Sequence, residues 1–129
     1  MNEKAVKTRY TDSELEEFGL LIEEKLMEAK KQLDFYVQQL SDSSNNADSK
    51  SKGLDDSIGS VESEQISTLA SRMRKHIQHL ENAKLRIQNK VYGICRETGK
   101  LISKERLKAV PHATLSIDAK NKLLSANVS

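Results

Sequence analysis

YGICRETGKLISKERLKAVPHATLSIDAK, residues 92–120, is the stretch that decides how this chain is read. Gly93, Gly99 and the single proline, Pro111, punctuate it, so no long helix runs through it. Its first part has the form of half a zinc knuckle: Cys95, two residues, then a place for a second cysteine followed by glycine. Thr98 stands at that place and Gly99 follows it. At its end, Ser116-Ile117-Asp118-Ala119-Lys120 reads as the start of a short helix capped by Ser116. A compact, turn-rich head with one short helix is expected over 92–124, with a tail at 125–129.

Upstream of the head the pattern changes to long helices. Thr11 and Glu14 are spaced as a capping box, and Tyr10 and Leu15 as a hydrophobic staple, so a helix should start at residue 11 after a tail over 1–10. Leu15, Phe18, Ile22, Leu26, Ala29, Leu33, Tyr36 and Leu40 then step by three and four, the spacing of a heptad seam. A second run, Ile66, Leu69, Met73, His76, Leu80, Ala83 and Ile87, has the same steps. Between them, residues 41–60 hold seven serines, two asparagines and two glycines, which predicts a turn or mobile tip loop. Two helices of similar length joined by one loop fold most simply as an antiparallel coiled-coil hairpin over 11–91. The first helix is mainly acidic and the second mainly basic, which favours that pairing. The expected fold is all-α: a long two-helix hairpin, a small zinc-finger-like head and a short last helix.

Composition narrows the function. The 129 residues carry 31% charged side chains, no tryptophan and a net charge of +2, which suits long exposed helices more than a deep core. The balance is too even to indicate a nucleic-acid partner. Arg96, Lys100, Lys104, Arg106, Lys108, Lys120 and Lys122 make the head and tail basic, but no aromatic stacking platform or recognition motif accompanies them, so no sequence-specific DNA binding is expected. No apolar run is long enough to span a membrane. The polar start and the lone cysteine lead to the expectation of a reduced, cytoplasmic protein. No paired nucleophile and base, phosphate loop or metal-ligand set is visible, so an enzyme is not expected.

Residues 92–120 resemble the head of the DksA/TraR family of bacterial RNA polymerase regulators. Family heads run aromatic-Gly-x-Cys-x-x-Cys-Gly, then I-x-x-x-R-L-x-A-x-P, then L-C-x-x-C-K. Tyr92-Gly93, Cys95, Gly99, Ile102, Arg106-Leu107, Ala109, Pro111, Leu115 and Lys120 stand at matching spacing. The preceding hairpin is similar to the family's coiled-coil arm. The four zinc cysteines of the family fall on Cys95, Thr98, Ser116 and Ala119, of which only the first is a ligand. Zinc is therefore not expected, and apolar packing by Ile94, Leu101, Ile102, Leu107, Val110, Leu115 and Ile117 should hold the head instead, with Cys95 as a small buried residue.

The resemblance implies a regulator, not an enzyme, that binds RNA polymerase directly and inserts its hairpin tip into the secondary channel to modulate initiation. The family's tip pattern D-x-x-D-x-A falls on Lys52, Asp55 and Ser57, which makes Asp55 and its neighbour Asp56 the candidate tip acids. Arg72 aligns with a polymerase-docking arginine. The basic residues used for guanosine tetraphosphate fall on His79, Val110 and Lys120, so only Lys120 remains as a nucleotide contact, and use of the alarmone in the family's manner is not expected. The regulator reading predicts a monomer. The alternative from the heptads alone is a self-associating coiled-coil scaffold without polymerase binding.

Overall fold

The protein is described from a computed structural model covering residues 8–50 and 56–128, with side chains over 8–42 and 61–126. The fold is all-α. In chain order the helices are α1 (Asp12–Lys50), α2 (Asp56–Gln88), α3 (Lys104–Ala109) and α4 (Ile117–Val128). The chain forms two compact units, residues 1–24 with 79–129, and residues 25–78.

The first unit contains the head. Its α1 segment starts as the capping box requires: the Glu14 amide donates to Thr11 Oγ1 at 3.1 Å and the Thr11 amide to Glu14 Oε1 at 2.9 Å. Tyr10 and Leu15, the two ends of the staple, are both buried. Lys90 pairs with Asp12 at 2.8 Å and Lys84 with Glu23 at 2.6 Å, so α1 ascends while α2 descends beside it. Both pairs are exposed and report the antiparallel register more than they stabilise it. The α2 helix ends in a Schellman motif. The Val91 amide reaches the Arg86 carbonyl at 2.9 Å and the Lys90 amide reaches that of Ile87 at 3.0 Å, with Lys90 at φ 65° in the position that usually favours glycine. This stop turns the chain into the head.

Three aromatic rings from distant segments form the centre of the unit. Tyr10 meets Phe18 edge-on with centroids 5.5 Å apart, and Phe18 meets Tyr92 at 5.2 Å. Ile22, Leu80, Ala83, Ile102 and Leu107 are buried with them. The tail expected over 1–10 therefore needs correcting at its end, because Tyr10 is only 4% exposed and belongs to the core. The expected head packing also changes. Ile102 and Leu107 are buried, but Ile94, Leu101, Val110 and Leu115 are half-buried and Ile117 is 53% exposed. The aromatic residues of the α1 start and of Tyr92 take the place assigned to them.

The second unit contains the remaining lengths of α1 and α2, with Leu26, Ala29 and Ala70 buried. Ala70 replaces Leu69 in the seam, and Leu69 is 40% exposed. Steps of four then three from Ile66 through Ala70 to Met73 serve the heptad as well as three then four through Leu69, so composition alone favoured the larger residue.

Among the described residues, the stretch expected as a tip loop over 41–60 is helical at both ends. Helix α1 continues to Lys50 and α2 begins at Asp56. Serine, asparagine and aspartate cost at most about 0.7 kcal/mol each relative to alanine in a helix, and extending an existing helix avoids the cost of nucleation. The last helix is likewise longer than expected. It runs to Val128 through residues placed in the tail at 125–129, because Ser116 caps a run rich in alanine, lysine and leucine.

Candidate functional site

The finger-like turns of the head have a complete backbone frame. The Gly99 amide donates to the Cys95 carbonyl at 2.8 Å, and the Cys95 amide to that of Lys100 at 2.8 Å, around an antiparallel bridge between Ile94 and Leu101. Gly99 sits at φ +72° and Gly93 at φ +80°, backbone conformations that glycine adopts without strain. A β-carbon on Gly93 would also lie 2.7 Å from Tyr10 Cε2, so the glycine admits the tyrosine ring. The second turn begins at Ser116, whose carbonyl accepts from the Lys120 amide at 2.9 Å and whose hydroxyl accepts from the Ala119 amide at 3.2 Å. The two turns are joined by the Arg96 amide, which donates to the Thr114 carbonyl at 2.9 Å.

The structure brings Cys95 and Ser116 together. The Ser116 amide donates to Cys95 Sγ at 3.3 Å, and in its protonated form the thiol donates to Ser116 Oγ at 3.7 Å. Cys95 is 1% exposed. Burial pushes its thiol up, but hydrogen bonds from the Thr98 hydroxyl and from the amides of Ser116, Thr98 and Glu97 outweigh this and bring it down to about 6. Ala119 is buried and Thr98 is exposed. Among the described residues, no three His, Cys, Asp or Glu side chains are grouped to share a metal ion.

Beside these turns lies a cavity of about 470 Å³ that includes His79, Arg86, Arg106, Val110, His112 and Lys120 in its lining. The three positions singled out for nucleotide contact, His79, Val110 and Lys120, thus meet at one place. Arg86, Arg106 and His112 join them, and no acid lines the cavity. His79 and His112 stack with ring centroids 5.5 Å apart and planes 7° apart. Burial pulls the Arg86 guanidinium below its ordinary value. Two of the cations also have structural partners. Arg106 Nε donates to the Leu115 carbonyl at 2.7 Å, and Arg86 donates to that of His112 at 3.4 Å. No local pattern marks Arg86 or His112 as neighbours, since 26 residues separate them.

The other candidates lie elsewhere. Asp55 falls outside the described residues, and Asp56 is the first residue of α2, with its side chain outside the described set. Arg72 is exposed on the α2 segment of the second unit. Among the described residues, no helix is long and apolar enough to cross a membrane.

Comparison with known proteins agrees with this geometry. Residues 90–123 match the family described as the prokaryotic dksA/traR C4-type zinc finger. The chain is similar to the RNA polymerase-binding transcription factor DksA from two strains of Caulobacter vibrioides, at 41% identity over 51 residues, covering 40% of this chain. The matched stretch spans 36% of the length of those relatives. The fold resembles that of the transcription factor DksA2 from Pseudomonas aeruginosa, with a TM-score of 0.84 and 23% identity over 91% of this chain and 88% of that one. The matched family's C4 description implies zinc, but Cys95, Thr98, Ser116 and Ala119 do not form a fitting donor set, because one sulfur, two hydroxyls and a methyl cannot supply the ligands of a tetrahedral structural site. The segment from residue 90 to residue 123 thus matches the DksA/TraR finger family, with three of the four cysteine positions of that finger replaced.

Proposed function

We propose that this protein is a transcription regulator that binds RNA polymerase directly and acts by binding, without catalytic chemistry of its own. The observation that carries this reading is the 41% identical segment shared with proteins named as RNA polymerase-binding transcription factors. The DksA2-like fold over 91% of the chain is compatible with it. In the finer form of the proposal, the α1–α2 connection enters the secondary channel, Asp55 and Asp56 act at the tip, and Arg72 docks on the polymerase.

Nucleotide use is proposed to be weak or absent. Lys120 is the remaining contact, and Val110 offers no donor. Arg86 and Arg106 bring charge to the same cavity but already donate to carbonyls of the head. Guanosine tetraphosphate is thus not assigned as an obligatory partner.

A pull-down of core RNA polymerase tests the proposal. The full chain should retain polymerase, and a version lacking residues 45–60 should retain it less well or without regulatory effect. The self-associating scaffold is kept as a second reading by Phe35, Val61 and Leu69, large apolar side chains exposed on the second unit. A stable homodimer that fails to retain polymerase would favour the scaffold.

A further inference from the structure

We infer that the head keeps the backbone cradle of a metal site but closes it with hydrogen bonds, so that it folds without metal and would regain zinc binding if its three replaced side chains were restored. The inference does not depend on polymerase binding.

The first support is the likeness of the two turns. In each, the amide four residues after the first ligand position donates to the carbonyl of that position: Gly99 to Cys95 at 2.8 Å and Lys120 to Ser116 at 2.9 Å. Both turns retain the spacing of a two-ligand knuckle, Cys95 with Thr98 and Ser116 with Ala119.

The second support is what joins them. A zinc ion cross-links two knuckles through its ligands. Here the Cys95 sulfur is bonded to both the amide and the hydroxyl of Ser116, a residue at one of the replaced positions. The Ser116 hydroxyl also caps α4 by accepting from Ala119. Ala119, at the last position, is buried and places a methyl group where a thiolate would otherwise need neutralising. Arg96 to Thr114 and Arg106 to Leu115 add bonds between the segments. Because the aromatic cluster lies on the α1 side of the head, the domain also has an apolar anchor independent of the knuckles.

The test uses the full chain. Purified protein should contain well under one zinc per chain, and excess chelator should leave its helical signal and melting midpoint unchanged. The triple variant Thr98→Cys, Ser116→Cys and Ala119→Cys should bind one cobalt ion with the absorption of a tetrahedral thiolate site, and its midpoint should rise only with metal. Stoichiometric zinc in the parent, or a chelator-dependent loss of helix, would overturn the metal-free fold. A triple variant that forms no such cobalt site, whether folded or not, would overturn the preserved cradle. A double-mutant cycle of Cys95→Ala and Ser116→Ala examines the cross-link separately. The two changes should lower the midpoint by less together than the sum of their single effects, and strict additivity would overturn the cross-link.

Discussion

The hydroxyl of Tyr10 donates to the carbonyl of Ile102, a buried bond between residues 92 positions apart in the chain. It ties the start of α1 to the segment that leads into α3. The same ring lies over Gly93 and meets Phe18 edge-on, so one side chain connects three parts of the first unit. Burial, then the negative charge of Glu14, push the Tyr10 phenol above its ordinary value, which keeps its proton available for this bond.

Tyr10→Phe removes the donor and leaves the Ile102 carbonyl buried without it. The expected loss is about 1–2 kcal/mol, or roughly 3–10 °C in the melting midpoint of a chain this size. Gly93→Ala should cost about 2–3 kcal/mol or more, because it combines a positive φ with a steric conflict against the Tyr10 ring. Thermal melts followed by circular dichroism check both. A Gly93→Ala protein as stable as the parent would contradict this packing.

Leu80 and Leu33 separate the buried from the partly exposed seam. Leu80 is 0% exposed, whereas Leu33 is half-buried. Leu80→Asp should therefore cost several kcal/mol and reduce helicity, because it buries an unpaired carboxylate. Leu33→Asp should cost distinctly less. Urea unfolding measures the two, and equal losses would contradict the difference in burial.

The Asp12 carboxyl gives the stability a small acid dependence. Hydrogen bonding to Lys90, the charge of Lys90 and a bond from Arg9 hold it below its ordinary value of 3.8. A group depressed in the folded state stabilises at pH values above its unfolded pKa, and that contribution is lost as pH falls through the folded value. Asp12→Asn should thus lower the melting midpoint slightly at pH 7 and converge with the parent in strong acid, below the folded value. Added salt should shrink the difference at pH 7, since the pair is exposed. A gap that persists in strong acid would assign it to something other than this charge.

Under the proposed function, tip chemistry and docking are separable. Asp55→Asn with Asp56→Asn removes two charges with little change in shape. This double variant should bind polymerase within a few-fold of the parent but lose most of its effect on open-complex lifetime in a purified transcription assay. Arg72→Ala should show the reverse: weaker binding, with the effect regained at higher protein concentration. Full regulation by the tip variant would make Asp55 and Asp56 solubilising residues only.

What the sequence determined by itself was short in range. The Thr11–Glu14 box, the Ser116 cap, the Gly93 and Gly99 turns and the heptad steps all express constraints that act within a few residues, so they could be read directly. The finger motif could be read because its residues occur close together over 92–120. Tertiary structure decided everything that depends on distant contacts. It chose Ala70 over Leu69 for the seam, brought Tyr10, Phe18 and Tyr92 into one cluster, and gathered Arg86, His112 and Lys120 around one cavity. Composition also misplaced the helix ends at Lys50 and Val128. Propensities differ by only tenths of a kcal/mol per residue, so continuation of a formed helix outweighs a run of weak helix formers.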